Sequence, residues 1–444
     1  MSPIPDPVPA DTEVPRATEV AVIGGGIIGV CASLKLAEQG IPVTLLEKGE
    51  IAAEQSSRNW GWCRQQGRDP REMPLIIESL NLWREMSARI GRDVGFNECG
   101  VLALAQSDTD LEKHRDWSSL GQEYGVESKL LRGTEVAQLI PGCATVWTGG
   151  LYTPSDGRAE PTLAAPTIAL AARSLGAKIF TNTAVRAIDI QAGRVNGVVT
   201  EHGRIRCNTV IVAAGAWTSP FLRNLGIRLP QLKVRSSAFR THPLPGGPEV
   251  SIYASGFAVR KRADGGYTIA LGGRTRIPYD ITPDSFRYVR DFLSLAWMSR
   301  KSLRLRLSGR FLTEQRYASC WDHQQPTMFE EERILNPAPV VKLLQQAQRN
   351  IATAIPSFEN LSVAERWAGM IDVTPDAIPV ISEAVGLPGC VIATGFSGLG
   401  VGIGPAAGEF AAHLALGQQP VVDPAPFRLQ RFSDGSPITP IAGI

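Results

Sequence analysis

Residues 20–47 read VAVIGGGIIGVCASLKLAEQGIPVTLLE, and this stretch limits what the chain can fold into more than any other. A β-rich run enters the turn formed by Gly24, Gly25, Gly26, Ile27, Ile28 and Gly29. An amphipathic run at helical spacing stops at Gly40, and a second apolar run ends in an acid, Glu47, followed by Lys48. Gly24 allows the tight turn, Gly26 lets backbone N–H groups approach a pyrophosphate, and Gly29 lets helix and strand pack closely. The helix start presents unpaired N–H donors and the positive end of its dipole to phosphate oxygens. Glu47 is placed to accept hydrogen bonds from the ribose hydroxyls of an adenosine and to repel a 2′-phosphate. A glycine turn alone has a purely structural reading. Strand, turn, helix, strand and acid in this order make it a dinucleotide-binding βαβ unit, without saying which dinucleotide.

Bulk properties exclude several classes. The 444 residues are enough for two domains and a large core, and 43% hydrophobic with 20% charged residues is ordinary for a globular protein. A formal net charge of +2 gives no electrostatic footprint for nucleic acid. The seven cysteines contain no CxxC pair, which argues against a disulfide framework or a zinc site, and no metal is expected. Residues 1–17 are proline-rich with no charged-then-apolar signal region and read as a disordered leader. No run approaches the roughly 20 apolar residues that span a bilayer. These features together read as a cytoplasmic protein.

The rest of the chain alternates in character. Residues 72–90 repeat apolar positions at helical spacing, residues 164–174 form a small-residue helix, and residues 204–214 read as a strand entering a buried sheet. Residues 232–273 are richer in β-type alternation, with a hairpin turn at Asp264, Gly265 and Gly266. The fold class is therefore α/β: a discontinuous Rossmann-like nucleotide domain with a second, α+β domain built on an antiparallel sheet. Residues 283–310 hold seven Lys/Arg and two Asp, with Phe286, Val289, Leu293, Ala296 and Trp297 able to line one helical face. That stretch reads either as a packed helix with a solvated basic side or as a contact for a partner subunit or a membrane surface. The second reading would place the protein peripheral to an inner membrane.

Three more segments point to FAD rather than NAD. Residues 54–69, EQSSRNWGWCRQQGRD, put small hydroxyls and backbone amides within reach of a pyrophosphate or flavin ring through Ser56, Ser57, Arg58, Asn59, Trp60 and Gly61. Residues 210–218, VIVAAGAWT, form a strand ending in a small-residue turn at Ala214, Gly215 and Trp217. Residues 394–410, TGFSGLGVGIGPAAGEF, are a glycine-dense loop opening a small-residue helix, with N–H groups from Gly395, Ser397, Gly398, Leu399, Gly400 and Gly402 near a flavin acceptor.

With these segments in order, the chain resembles the FAD-dependent D-amino-acid oxidase/sarcosine oxidase superfamily over residues 18–419. In motif it is most like D-amino-acid dehydrogenases and sarcosine oxidase β-subunits. The resemblance is carried by VIGGGIIG, SSRNWG, LYTPSDGRAEP (151–161), VIVAAGAW, WAGMIDVTPDAIPVI (367–381) and GFSGLGVGIGPAAG. It implies an FAD domain from 18–95, 155–225 and 360–425, a substrate domain from 96–154 and 226–359, and a tail at 426–444. It adds Val185, Gly369 and Asp372 to the cofactor-contacting set.

The implied activity is oxidation of the C–N bond of an amino acid or N-alkyl amino acid, with oxygen, a quinone or another acceptor taking the electrons. Related folds also oxidise 2-hydroxy acids or act as flavin subunits of hetero-oligomeric amine dehydrogenases. The cysteine that carries covalent FAD in monomeric sarcosine oxidases is missing, so FAD is expected to be noncovalent. The arginine that many relatives place just after the glycine matching Gly369 is also missing; Met370, Ile371 and Asp372 stand there. Carboxylate binding then falls to Arg64, Arg260 or Arg274, with Trp62 as a wall of the flavin pocket.

Overall fold

A computed structural model describes residues 3–273, 276–317 and 320–440. Its first sheet is built around the strand Val20–Ile23, which pairs in parallel with Val43–Leu46 on one side and Thr209–Val212 on the other. Val20 stands opposite both Val43 and Thr209. Lys178–Phe180 and Cys390–Thr394 extend the parallel order outward, and Val380–Glu383 closes one edge antiparallel. The inner strands are buried on both faces, which explains why they read as unbroken apolar runs. Helices Ile27–Glu38, Pro161–Ser174, Gly400–Ala415 and Met73–Ile90 cover one face. The other face packs against a three-stranded antiparallel sheet of Val185–Gln191, Arg194–Thr200 and Gly203–Ile205.

The second sheet has eight strands in the order Val363–Val373, Leu232–Thr241, Tyr267–Ala270, Phe257–Lys261, Ser251–Ala254, Val101–Ala105, Gly149–Thr153 and Lys129–Arg132. All neighbours are antiparallel except Ser251–Ala254 with Val101–Ala105. The turn at 264–266 connects two paired strands, as its Asp-Gly-Gly chemistry requires. The amphipathic helix Val341–Ala354 buries Leu344, Ala347 and Ile351 against this sheet. Val363–Val373, grouped by sequence with the FAD segments, hydrogen-bonds into the eight-stranded sheet and carries Asp372 back toward the first one.

Two sequence expectations are corrected, for the leader and for residues 283–310. Residues 3–17 are not a loose leader: Asp11 N–H donates to Ile179 O at 2.7 Å, its carboxylate accepts from Ile179 N–H at 2.9 Å, and Val8 is buried. This covers the edge strand Lys178–Phe180, whose backbone groups would otherwise face solvent. The tail also packs, because Arg431 forms a buried pair with Asp376 at 2.9 Å. Residues 283–310 do not form one helix. They break into Pro283–Arg287, Leu293–Ser299 and the strand Leu303–Leu307, which pairs in parallel with Ile277–Ile281. The alternation Leu-Arg-Leu-Arg-Leu at 303–307 has the period of a strand, not of a helix.

Candidate functional site

The nucleotide turn sits at the C-terminal end of Val20–Ile23, between two neighbouring parallel strands, where ligands bind in open α/β sheets. Gly24 has φ +108°, and a Cβ there would lie 2.4 Å from Ala213 O. A Cβ at Gly29 would lie 1.9 Å from Gly24 O, so only glycine permits the approach of helix to turn. Gly26 caps the helix Ile27–Glu38 in extended backbone, and the Ile27 N–H donates to Ser56 Oγ at 2.9 Å. Both carboxylate oxygens of Glu47 accept backbone hydrogen bonds at 2.7 Å, from Gly25 N–H and Gly49 N–H. Burial nonetheless pushes the Glu47 pKa up.

A second wall comes from the far end of the chain. The loop after Cys390–Thr394 is organised by Asp372, which is buried and accepts from Gly395 N–H at 2.7 Å. The Thr394 hydroxyl lies 3.2 Å from the same carboxylate, and Gln231 Nε2 lies 2.9 Å from that hydroxyl. Burial raises Asp372 to about 6. The loop ends at Leu399, the N-cap of Gly400–Ala415, and no side chain caps that helix. Its free N–H groups therefore face the same opening as those of Ile27–Glu38.

Between these walls lies a cleft of about 1150 Å³. Of the sequence-predicted cofactor residues, Gly24, Gly26, Ile27, Ile28, Glu47, Lys48, Ser56, Asn59, Val185, Ala214, Gly215, Trp217, Asp372, Gly398 and Gly400 line it. The other ten stand behind the wall rather than in it. Gly29 packs on the turn, Ser57 bonds Glu54 O, and Arg58 donates to Leu335 O at 2.6 Å. Trp60 packs on Trp367, Gly61 approaches Ala159 O, and Gly369 faces Gln55. Gly395, Ser397 and Leu399 shape the loop, and Gly402 lies inside the helix over Arg68.

The cleft also takes Glu54, Gln55, Phe221, Phe329, Met370 and Phe396, which were not singled out from sequence. Glu54 and Gln55 stand in the quoted segment 54–69, beside Ser56. Glu54 ties Lys48 Nζ at 2.7 Å, Trp217 Nε1 at 3.1 Å and Leu335 N–H at 2.9 Å. Gln55 Oε1 is buried without a hydrogen-bond partner and lies against Gly369. Two helix N-termini, a half-buried acid at the end of the second strand and a largely apolar lining fit an FAD.

The carboxylate candidates fare differently. Arg260 is fully buried and committed to Glu160 at 2.7 Å, with its Nε on Trp60 O, so it is a structural ion pair and not a free cation. Arg64 does not line the cleft; it donates to Gln66 O and lies 6.0 Å from the Trp62 ring centroid. Trp62 is also outside the cleft, edge-on to Trp60 and Tyr253 in an aromatic corner, with its buried indole N–H unpaired. Arg274 lies outside the described residues.

Below the second helix N-terminus, Arg68 and Glu72 are buried 3.7 Å apart, and Arg68 Nη2 donates to Leu399 O at 3.5 Å. Burial lifts Glu72 from 4.5 to about 7. Its folded-state pKa is raised, so the stability it contributes is present below pH 4.5 and is lost as pH rises through about 7. Glu72→Gln removes this titration. Relative to wild type, the variant is expected to gain up to roughly 3 kcal/mol between these limits, read by thermal unfolding across pH. A constant offset would contradict the burial of an ionisable Glu72.

Comparison with known proteins gives consistent results. The family model described as FAD dependent oxidoreductase (DAO) matches residues 19–414. Human mitochondrial sarcosine dehydrogenase is 25% identical over 430 residues, covering 94% of this chain and 42% of its own. The chain thus spans less than half the length of that relative. Glycine oxidase of Geobacillus kaustophilus is 24% identical over 93% of this chain and 97% of its own. Among solved structures, L-amino acid deaminase from Proteus myxofaciens, in complex with anthranilate, superposes with a TM-score of 0.93 at 32% identity. That match covers 98% of this chain and 97% of the other.

Proposed function

The chain belongs to the DAO family of FAD-dependent oxidoreductases, and from that premise we propose that it oxidises the C–N bond of an L-α-amino acid to a 2-imino acid. Water hydrolyses the imine to a 2-oxo acid and ammonia. Bound FAD supplies the chemistry by accepting the two electrons, as hydride, at N5. The observation that carries this reading is the near-complete mutual coverage with an L-amino acid deaminase at 32% identity, a protein whose structure holds an aromatic amino-carboxylate.

The residues of this chain supply position and surroundings. In the cleft Glu47 would hold the adenosine ribose, the N–H groups after Gly26 would hold the pyrophosphate, and those from Gly398 to Val401 would hold the flavin pyrimidine end. Phe221, Phe329 and Phe396 keep water from the cleft. Among the described residues no cysteine or histidine lines the cleft, in keeping with noncovalent FAD. With Arg260 bound to Glu160, Arg274 takes the substrate carboxylate and the corner of Trp60, Trp62 and Tyr253 takes the side chain.

Turnover with a panel of L- and D-amino acids, N-methyl amino acids and 2-hydroxy acids tests this reading. Ammonia and a 2-oxo acid in equal amounts from L-amino acids, with aromatic ones favoured, are expected. Arg274→Ala should raise KM about 100-fold while flavin content stays unchanged, the loss of a charge-assisted carboxylate pair. Turnover of hydroxy acids alone, or an unchanged KM, would overturn it.

No helix among the described residues is long and apolar enough to cross a membrane. The placement that goes with the reading is cytoplasmic, against the inner face of a membrane.

A further inference from the structure

At the end of the cleft beside the second helix start, the wall is made of Met370, Asp372, Ala393, Phe396, Gly398 and Gly400. Asp372 is the one ionisable group among these six, and it is only 6% exposed. Three donors reach its carboxylate, all at the same oxygen, Oδ2. They are Gly395 N–H at 2.7 Å, the Thr394 hydroxyl at 3.2 Å and Gln231 Nε2 at 3.5 Å. All three are neutral. Among the described residues Asp372 has no ion-pair partner, which is unusual for a buried carboxylate.

Two cations that stand on either side of this wall are committed elsewhere. Lys233 is opposite Asp372 in the sheet register, but its Nζ lies 3.2 Å from Glu314. Arg68 lies below the loop, donating to Leu399 O, and is paired with Glu72 at 3.7 Å. Burial raises Asp372 to about 6 and the Gly395 N–H opposes that rise, so the carboxyl is ionised at pH 8. The helix Gly400–Ala415 presents about half a positive charge at its start. Asp372 sets a whole negative charge in the same wall, so the charge there sums to negative.

We infer that Asp372 holds down the reduction potential of the bound flavin, by opposing the negative charge that reduction places on it. This role rests on the flavin pyrimidine end lying against residues 398–401, as proposed above. A flavin that has taken up two electrons carries its added negative charge over N1 and the C2 carbonyl. Charge beside that edge is one of the means by which a protein tunes the cofactor. In a dry wall a like charge is poorly screened, so it disfavours the reduced flavin more than the oxidised one. The carboxylate therefore has two separable effects. Through its hydrogen bond to Gly395 N–H it shapes the loop, which bears on oxidised and reduced flavin alike. Through its charge it acts on the reduced flavin alone. A neutral side chain at 372 that keeps an acceptor oxygen separates the two.

The test is the midpoint potential of the flavin-loaded protein at pH 8, titrated with dithionite against a reference dye. Wild type is compared with Asp372→Asn and Asp372→Ser. Both variants should raise the ratio of reduced to oxidised flavin about 10-fold at a fixed potential, an upward shift of about 30 mV for a two-electron couple. Where a variant holds FAD too weakly to titrate, the ratio of its dissociation constants for oxidised and reduced FAD gives the same quantity. Asp156→Asn is the matched control. Asp156 is also fully buried and raised to about 6, but Gln65 N–H and Gln66 N–H hold it outside the cleft. Its replacement should leave the potential in place. An unmoved or lowered potential in the Asp372 variants, or an equal rise in Asp156→Asn, overturns the inference and leaves Asp372 a loop-shaping residue. Dithionite supplies the electrons, so the result does not depend on the substrate. Amino acids that fail to reduce the flavin would overturn the proposed activity, while a raised potential in the Asp372 variants would still support the inference.

Discussion

Gly29→Val is expected to yield protein that purifies without flavin. The added side chain begins 1.9 Å from Gly24 O, and the atom it meets is backbone held by the parallel sheet. The first turn of Ile27–Glu38 must move away from the strand end, carrying with it the N–H groups that face the cleft. Overpacking in a well-packed site costs about 1–3 kcal/mol or more, and here the displaced groups are those proposed to hold the pyrophosphate. Flavin content should fall more than 10-fold, read as visible absorbance against protein. Gly40→Ala is the matched control: its φ is +71° but a Cβ there meets nothing within 4 Å. Its cost is the left-handed backbone alone, roughly 1–2 kcal/mol, and it should stay yellow. Equal flavin in the two variants would mean that the turn does not hold the cofactor.

The second large effect is expected at Asp372. Removing its carboxylate in Asp372→Ala leaves Gly395 N–H without its acceptor in a dry interior, while the Thr394 hydroxyl and the Gln231 amide keep Gly215 O. Each unsatisfied buried donor costs about 1–3 kcal/mol, so the loop 395–400 should lose its shape. Thermal unfolding should drop by several degrees, and the FAD dissociation constant should rise at least about 10-fold. Asp372→Asn keeps one oxygen for Gly395 N–H. Burial raises Asp372 to about 6, so this variant differs less from wild type at pH 5, where the acid is largely protonated, than at pH 8. Titration of FAD into the apo forms at both pH values checks the order Ala, Asn, wild type. An alanine variant that binds FAD as wild type does would remove Asp372 from the account of the loop.

Much of the nucleotide half was legible because its signals are local. Each of Gly24, Gly26, Gly29 and Glu47 is fixed by spacing within one βαβ unit, and the loop at 394–410 announces itself by glycine density. Phe221 and Phe329 were not legible, since long stretches of chain separate them from the turn and only tertiary packing brings them to the cleft. Arg260 was misassigned for the same reason. Its partner Glu160 lies a hundred positions away, and nothing in the sequence says that an arginine on a sheet is already paired. The break of 283–310 into turns and a strand was partly readable in the alternation at 303–307, but a summed count of cations and apolar residues hid it. The half-buried Asp11 contact with the sheet edge had no local signal beyond an acid in a proline-rich leader.

The central claim is that the cleft between the two helix N-termini holds FAD and that an L-amino acid reduces it there. Anaerobic mixing of the purified holoenzyme with L-amino acids tests this most directly. Loss of the oxidised flavin absorbance in one turnover, one 2-oxo acid formed per flavin, and no such loss with the D-enantiomers are expected. Flavin that stays oxidised with every L-amino acid, or that is bleached by 2-hydroxy acids instead, would contradict it.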